Sequence, residues 1–135
     1  MERKASDAID DAKRWLSAAE SSEKAGSYDI ALYSAEMALE IAMKAVLINK
    51  GVDYPKKHDI TDYFKTAVDS RSTVKELRDE LPSLISTFSE LLNLRNAAGY
   101  NIGTLRLDEA TASKTRELLK RSAVFIGIIE RELRA

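Results

Sequence analysis

Residues 28–60, YDIALYSAEMALEIAMKAVLINKGVDYPKKHDI, decide the fold of this chain. Up to Lys50 the stretch is apolar almost all round a helix, and Gly51 then supplies a stop signal. A helix of this kind is stable in water only when other helices surround it. The stretch therefore predicts a central helix over about residues 28–50 in an all-α protein.

A narrow polar column interrupts this apolar helix. Glu36, Glu40 and Lys44 follow one another at intervals of four residues, which places them on one face. As a surface pair, Glu40 and Lys44 would contribute only a few tenths of a kcal/mol, about 0.2–0.5 kcal/mol. On a helix so apolar, we interpret the column as facing a cleft or a dimer seam, and we expect Glu40 to pair with Arg95.

The residues on either side of the central helix predict further helices. Residues 2–24 repeat apolar positions at intervals of three and four, and Gly26 ends this first helix. Ser27 or Asp29 can then cap the central helix by accepting backbone N–H groups. After the loop at residues 51–58, Asp59 can cap a third, shorter helix.

The second half of the chain predicts two more long helices. One starts near Thr73 and continues to residue 98, with a break or a kink at Pro82 because proline costs about 3 kcal/mol inside a helix. Residues 99–107 form a connection, and Asp108 caps the last helix. The prediction is a single domain, residues 1–135, folded as an antiparallel up-and-down bundle of four long helices plus one or two short ones.

Composition excludes several classes of function. The chain has no cysteine and one histidine, so we predict no metal site and no cofactor. A net charge of −1 does not favour a DNA-binding protein, because such proteins carry a basic excess. The charged N-terminus and the lack of a long apolar run predict no membrane association, and we expect a cytoplasmic protein.

Several short motifs together resemble the HEPN domain family. They are Ala38-Leu39-Glu40, Lys44-Ala45, Leu47, Gly51, Pro55, Lys57-His58-Asp59-Ile60, and Arg95-Asn96 in the later helix. The resemblance implies a helical bundle that dimerises and works beside a minimal nucleotidyltransferase in a toxin–antitoxin-like pair. It also implies a link to RNA, because many HEPN proteins are metal-independent ribonucleases with an Arg, four to six residues, then His.

This chain departs from that ribonuclease pattern at one position. Arg95 matches the family arginine and Asn96 the polar residue after it, but Tyr100 stands where the catalytic histidine would fall. An unperturbed tyrosine has a pKa near 10 and is a poor general base at neutral pH. Arg95, Asn96 and Tyr100 are thus the candidate catalytic residues, and with Glu40 and Lys44 they are the candidate ligand-binding residues.

Three functions remain open on this evidence. The first is a dimeric partner of a minimal nucleotidyltransferase with a degenerate nucleotide or RNA site. The second is an active ribonuclease in which another group replaces the missing histidine, and the third is a non-catalytic interaction module.

Two groups of residues also have simpler structural interpretations. Gly99 at the left-handed position after the helix would lay Tyr100 over the stem of Arg95. Lys56, Lys57 and His58 would form a solvated loop with His58 against a neighbouring helix, or else a small phosphate-contacting patch.

We predict that the chain forms a symmetric homodimer, with the Arg95 motifs of the two subunits close to the seam. A bundle of 135 residues with an apolar surplus on the second and last helices has surface left to bury. Light scattering at micromolar concentration should therefore give twice the mass of the chain. A monomer under these conditions would contradict the prediction.

Overall fold

The computed structural model describes residues 1, 3–70, 72–100 and 109–135, without the side chains of residues 70, 96–100, 109 and 110. These residues form five α-helices and no strand. The helices are α1 (Arg3–Lys24), α2 (Tyr28–Asn49), α3 (Thr61–Ser70), α4 (Lys75–Tyr100) and α5 (Glu109–Arg134). The all-α bundle of four long helices and one short helix is confirmed.

Helix α2 lies at the centre of the bundle, as its apolar surface predicted. It contacts all four other helices, and Leu39, Ala42 and Val46 are completely buried on it. Gly51 ends the helix in the left-handed region at φ 69°, which favours glycine. The central position of α2 is the feature on which the packing of the other helices depends.

The connection between α1 and α2 is short and tightly hydrogen-bonded. Gly26 adopts φ 79°, and the Ser27 N–H donates to the Ser22 carbonyl at 2.9 Å, which closes the end of α1. Ser27 occupies the N-cap position of α2, although its side chain makes no cap hydrogen bond. Three residues between two long helices force α2 to turn back along α1, so the pair is antiparallel.

Helix α4 differs from its prediction in two ways. Of the break and the kink expected at Pro82, the break is absent: the helix continues through Pro82, because the buried Leu77, Leu81 and Leu84 hold both halves of the helix against the core. Burying each such side chain contributes about 1.5–3 kcal/mol, which together exceeds the cost of about 3 kcal/mol for an interior proline. The helix also extends to Tyr100, so Gly99 is helical and is not the left-handed residue that we expected after the helix end.

A set of polar contacts at one end of the bundle joins α5 to Lys50, which follows α2, and to the start of α4. The buried Glu132 on α5 accepts the Val74 N–H at 2.8 Å and pairs with Lys50 Nζ at 2.8 Å. Lys50 also donates to the Ser72 carbonyl at 2.5 Å. These contacts satisfy two backbone groups at and just before the start of α4, the Val74 N–H and the Ser72 carbonyl, and are structural.

None of the helices in the described part of the chain is long and apolar enough to cross a membrane.

We expect Leu39→Ala to lower the free energy of unfolding by about 2–5 kcal/mol, because Leu39 is completely buried in the central helix. Ile30→Ala is the matched control on the same helix, since Ile30 is 54% exposed. The control should change the free energy of unfolding by less than about 0.5 kcal/mol. Chemical denaturation followed by circular dichroism measures both, and equal losses would contradict the central position of α2.

Candidate functional site

Helix α2 carries its polar column into the interior of the bundle. Glu36 is 0% exposed and Glu40 is buried, while Lys44 is partly exposed and donates to Glu40 Oε2 at 2.8 Å. The Lys44 ammonium also lies 5.7 Å from the centre of the Tyr54 ring. The column thus runs from a buried carboxyl group to a cation near the surface.

Arg95 reaches this column from α4. Its Nε lies 3.6 Å from Glu36 Oε2, and its guanidinium carbon lies 4.8 Å from the centre of the Tyr33 ring. The side chain of Arg95 is only 15% exposed. An arginine held between an aromatic face and a buried carboxyl group is fixed in position at little further cost in side-chain entropy.

The expected direct pair between Glu40 and Arg95 is wrong. Arg95 pairs with Glu36, one helical turn earlier on α2, and the oxygens of Glu40 are taken by Lys44 and His58. The spacing of four residues could not decide which of the two carboxylates faces α4, because both lie on the same side of the helix.

His58 links Glu40 to Arg95. Its Nδ1 lies 3.0 Å from Glu40 Oε1, and its Nε2 lies 3.2 Å from an Nη of Arg95. Since a guanidinium group can only donate, Nε2 accepts and the proton of a neutral ring lies on Nδ1, which donates to Glu40. The ring is 53% exposed, so His58 is both a contact to two helices and a surface group.

The loop between α2 and α3 places His58 in this position. After Gly51 the Val52 N–H donates to the Leu47 carbonyl at 2.9 Å, and the Lys57 N–H donates to the Pro55 carbonyl at 2.9 Å. Asp59, one residue before the N-cap position of α3, then accepts the Thr61 N–H, the first of that helix, at 3.1 Å. These contacts fold the loop back beside α2, so that its histidine meets a residue eighteen positions earlier.

Burial sets the protonation of the two carboxyl groups. Desolvation, assisted by the neighbouring Glu40 carboxylate, raises the pKa of Glu36 to about 9 against the opposing charges of Arg95 and Lys44. Burial also opposes ionisation of Glu40, but its contacts with Glu36, Lys44 and His58 outweigh burial and lower the pKa of Glu40. At neutral pH the pair therefore holds one neutral acid and one carboxylate.

Three of these groups have the donor atoms of a metal site. One ligand atom each from Glu36, Glu40 and His58 lies within 4.8 Å of the others. The prediction of no metal site was based on two features of the sequence. The chain has a single histidine, and no histidine and glutamate are spaced as metal ligands within one helix. These features could not show that a loop brings the histidine to two carboxyl groups.

The structure brings Glu40, Lys44 and Arg95 into one cluster, and it adds Glu36, His58 and Tyr33. Asn96 and Tyr100 are residues of α4, but the structure describes only their backbone and not their side chains. Asp108, the expected cap of the last helix, also lies outside it.

A surface groove lies apart from this cluster. It has a volume of about 480 Å³ and is lined by residues of α1 and α5, among them Glu20, Glu23, Arg116 and Val124. Arg116 and Glu23 face each other there at 3.6 Å. The groove contains none of the residues of the cluster.

The comparison with known families agrees with this architecture. The family model for the HEPN domain matches residues 5–132, which is nearly the whole chain. This chain belongs to the HEPN domain family. No curated protein and no solved structure matches it. Within this HEPN domain, the matched range includes every residue of the cluster around Arg95.

The raised pKa of Glu36 predicts how the stability of this HEPN domain depends on pH. The folded chain keeps a proton that the unfolded chain, with an ordinary pKa of 4.5, releases. Wild-type stability should therefore fall relative to Glu36→Gln as the pH rises between about 5 and 9, by at most about 1.4 kcal/mol per pH unit.

Denaturation curves of both proteins across this pH range measure the difference. The glutamine variant keeps the shape of the side chain but cannot ionise, so the other titrating groups largely cancel in the comparison. Two stability curves that stay parallel from pH 5 to pH 9 would contradict the raised pKa.

Proposed function

We propose that this HEPN protein binds the phosphate groups of a nucleotide or RNA at the cluster of Glu40, Lys44, His58 and Arg95. In this proposal the protein acts in the cytoplasm as the dimeric partner of a minimal nucleotidyltransferase, in a toxin–antitoxin-like pair. The observation that carries the binding function is the charge of the cluster.

The cluster has more positive than negative charge at neutral pH. Lys44 and Arg95 are cations, whereas Glu40 is the one ionised carboxylate because Glu36 keeps its proton. His58 adds no negative charge in either of its protonation states. An excess of positive charge inside a partly buried site favours an anionic ligand, because burial strengthens electrostatic attraction.

The geometry of Arg95 suits a phosphate. Tyr33 supports one face of the guanidinium group, while an Nη group points to the half-exposed His58. A phosphate oxygen is a stronger acceptor than neutral imidazole nitrogen, so an arriving anion can replace His58 as the partner of that donor. Lys57, which precedes His58 in the loop, adds a further cation, and its Nζ lies 5.6 Å from the centre of the Tyr63 ring.

Membership of the HEPN family supports the partner part of the proposal. The resemblance of the motifs to the HEPN family implies dimerisation and pairing with a minimal nucleotidyltransferase. The substitution of tyrosine at position 100 supports a site that binds without cleaving, because the usual general base is missing.

Arg95→Ala should weaken the binding of single-stranded RNA or of a nucleotide by about 10–150-fold. The expected loss corresponds to one charge-assisted contact of about 1.5–3 kcal/mol. The measurement is a fluorescence anisotropy titration in the presence of a chelator. Arg131→Ala is the matched control, because Arg131 is an exposed arginine of α5 that pairs with Glu76 away from the cluster.

The control variant should bind as the wild type does. Equal affinities for wild type and Arg95→Ala, or equal losses in both arginine variants, would contradict a specific site at Arg95. Lack of binding by the wild type would overturn the proposed function and favour the plain interaction module.

A second candidate function is ribonuclease activity with His58 as the replacement base. The observation that favours it is the contact of Nδ1 with Glu40, which leaves the lone pair of Nε2 directed toward Arg95. A carboxylate that orients a histidine in this way is the arrangement of many general bases. Once a phosphate draws Arg95 away, Nε2 could accept the proton of a ribose 2′-hydroxyl group.

RNA cleavage in the presence of a chelator separates this candidate from simple binding. If His58 is the base, His58→Gln should lower the rate of cleavage at saturating RNA by about 10²–10⁴-fold. Wild-type protein that binds RNA but does not cleave it would exclude the ribonuclease and leave the binding function in place.

A further inference from the structure

We propose that Glu36, Glu40 and His58 form a binding site for one zinc ion per chain. The carboxyl groups come from successive turns of α2, and the imidazole comes from the loop that follows it. Their ligand atoms already lie within 4.8 Å of one another. This proposal goes beyond the binding of phosphate and is independent of it.

The distances are close to those that zinc requires. With bonds of about 2.0–2.1 Å, the ligands of a tetrahedral zinc ion stand about 3.4 Å apart. Nδ1 of His58 and Oε1 of Glu40 are 3.0 Å apart, so this edge of the site is near the required spacing. The separations that involve Glu36 are at most 4.8 Å, so the ligands would have to approach one another by up to about 1.4 Å, and the half-exposed ring of His58 has room to move.

The state of Glu36 is the independent observation that points to a cation. No donor group within the described residues reaches either carboxyl oxygen of Glu36, although both oxygens are fully buried, and the contact of this group with Glu40 joins two carboxyl groups. Arg95 Nε, at 3.6 Å, lies beyond hydrogen-bond distance. Buried polar atoms that no donor reaches are costly, and a metal ion between the two carboxyl groups and His58 would satisfy them.

The neighbouring cations determine which metal fits. Lys44 occupies Oε2 of Glu40 and leaves Oε1 directed toward His58. The charges of Lys44 and Arg95 oppose any cation, so binding requires strong ligand bonds rather than simple charge attraction. An imidazole ligand supplies such a bond to zinc, whereas magnesium prefers oxygen ligands and keeps its water.

Zinc would also change the partner of Arg95. Coordination through Nδ1 removes the proton from that nitrogen, and a neutral ring then carries its proton on Nε2. Nε2–H cannot accept from Arg95, so the existing contact at 3.2 Å must break. Three protein ligands leave a fourth position on the metal for water or an anion, next to the released guanidinium group.

The composition of the chain makes the test specific. His58 is the one histidine and there is no cysteine, so no other imidazole or thiolate can hold zinc. Isothermal titration of chelator-treated wild-type protein with zinc should give one site per chain, and magnesium should not compete at equal concentration. Glu36→Gln, Glu40→Gln and His58→Gln should each lower the zinc affinity at least about tenfold.

Glu117→Gln is the matched control, because Glu117 is an exposed carboxylate of α5 that pairs with Arg121. This variant should keep the affinity of the wild type. Nitrogen-15 NMR of the wild type gives a second readout that does not depend on the folding of any variant. Zinc should move the proton of the His58 ring from Nδ1 to Nε2.

Three results would overturn the proposal. They are the lack of saturable zinc binding, zinc binding that survives both Glu36→Gln and His58→Gln, and an imidazole spectrum that zinc leaves unchanged. Because phosphate binding is measured with chelator present, that function can succeed while the zinc site fails, or fail while the zinc site succeeds.

Discussion

The site depends on the burial of Glu36 at the centre of the bundle. Helix α2 is surrounded by the other four helices, so a carboxyl group on its inner face has no access to water. The group remains neutral at ordinary pH, and Arg95 of α4 lies beside it, with its Nε 3.6 Å from Oε2 of Glu36. Arg95 in turn meets His58, which is held by Glu40. A series of contacts thus begins at the buried Glu36, continues through Arg95 and ends at the half-exposed ring of His58.

In the proposed functions, this arrangement would let one cluster bind either an anion or a metal ion. When Glu36 keeps its proton, the cations of the cluster exceed its single carboxylate, and an anion such as phosphate is favoured. When a metal replaces that proton, the same carboxyl group becomes a ligand and Arg95 loses its contact with His58. His58 is the shared element because each of its two ring nitrogens faces a different partner.

The fold was predictable where hydrophobic pattern alone decides it. The apolar surface of residues 28–50 could be buried only at the centre of a helical bundle, and Gly26 and Gly51 marked real helix ends. Two expectations about α4 differ from the structure: the helix has no break at Pro82, and it does not end before Gly99. Buried leucines carry α4 past Pro82, and Gly99 remains within the helix.

The site was only partly predictable because it depends on tertiary packing. The polar column on α2 and the importance of Arg95 followed from spacing and family resemblance, but the partner of Arg95 depends on how α4 crosses α2. His58 gave a weaker signal, because its role appears only when the loop folds back along the helix. A short loop after a glycine stop, carrying the single histidine, was the sequence feature that could have pointed to it.

The central claim is that Glu36 is a neutral carboxylic acid inside the folded protein at pH 7. Infrared spectroscopy tests it most directly, because a protonated carboxyl group has a carbonyl band distinct from that of a carboxylate. The account predicts a protonated-carboxyl band in the folded wild type at pH 7 that is absent from Glu36→Gln. A wild-type spectrum at pH 7 with carboxylate bands alone would contradict it.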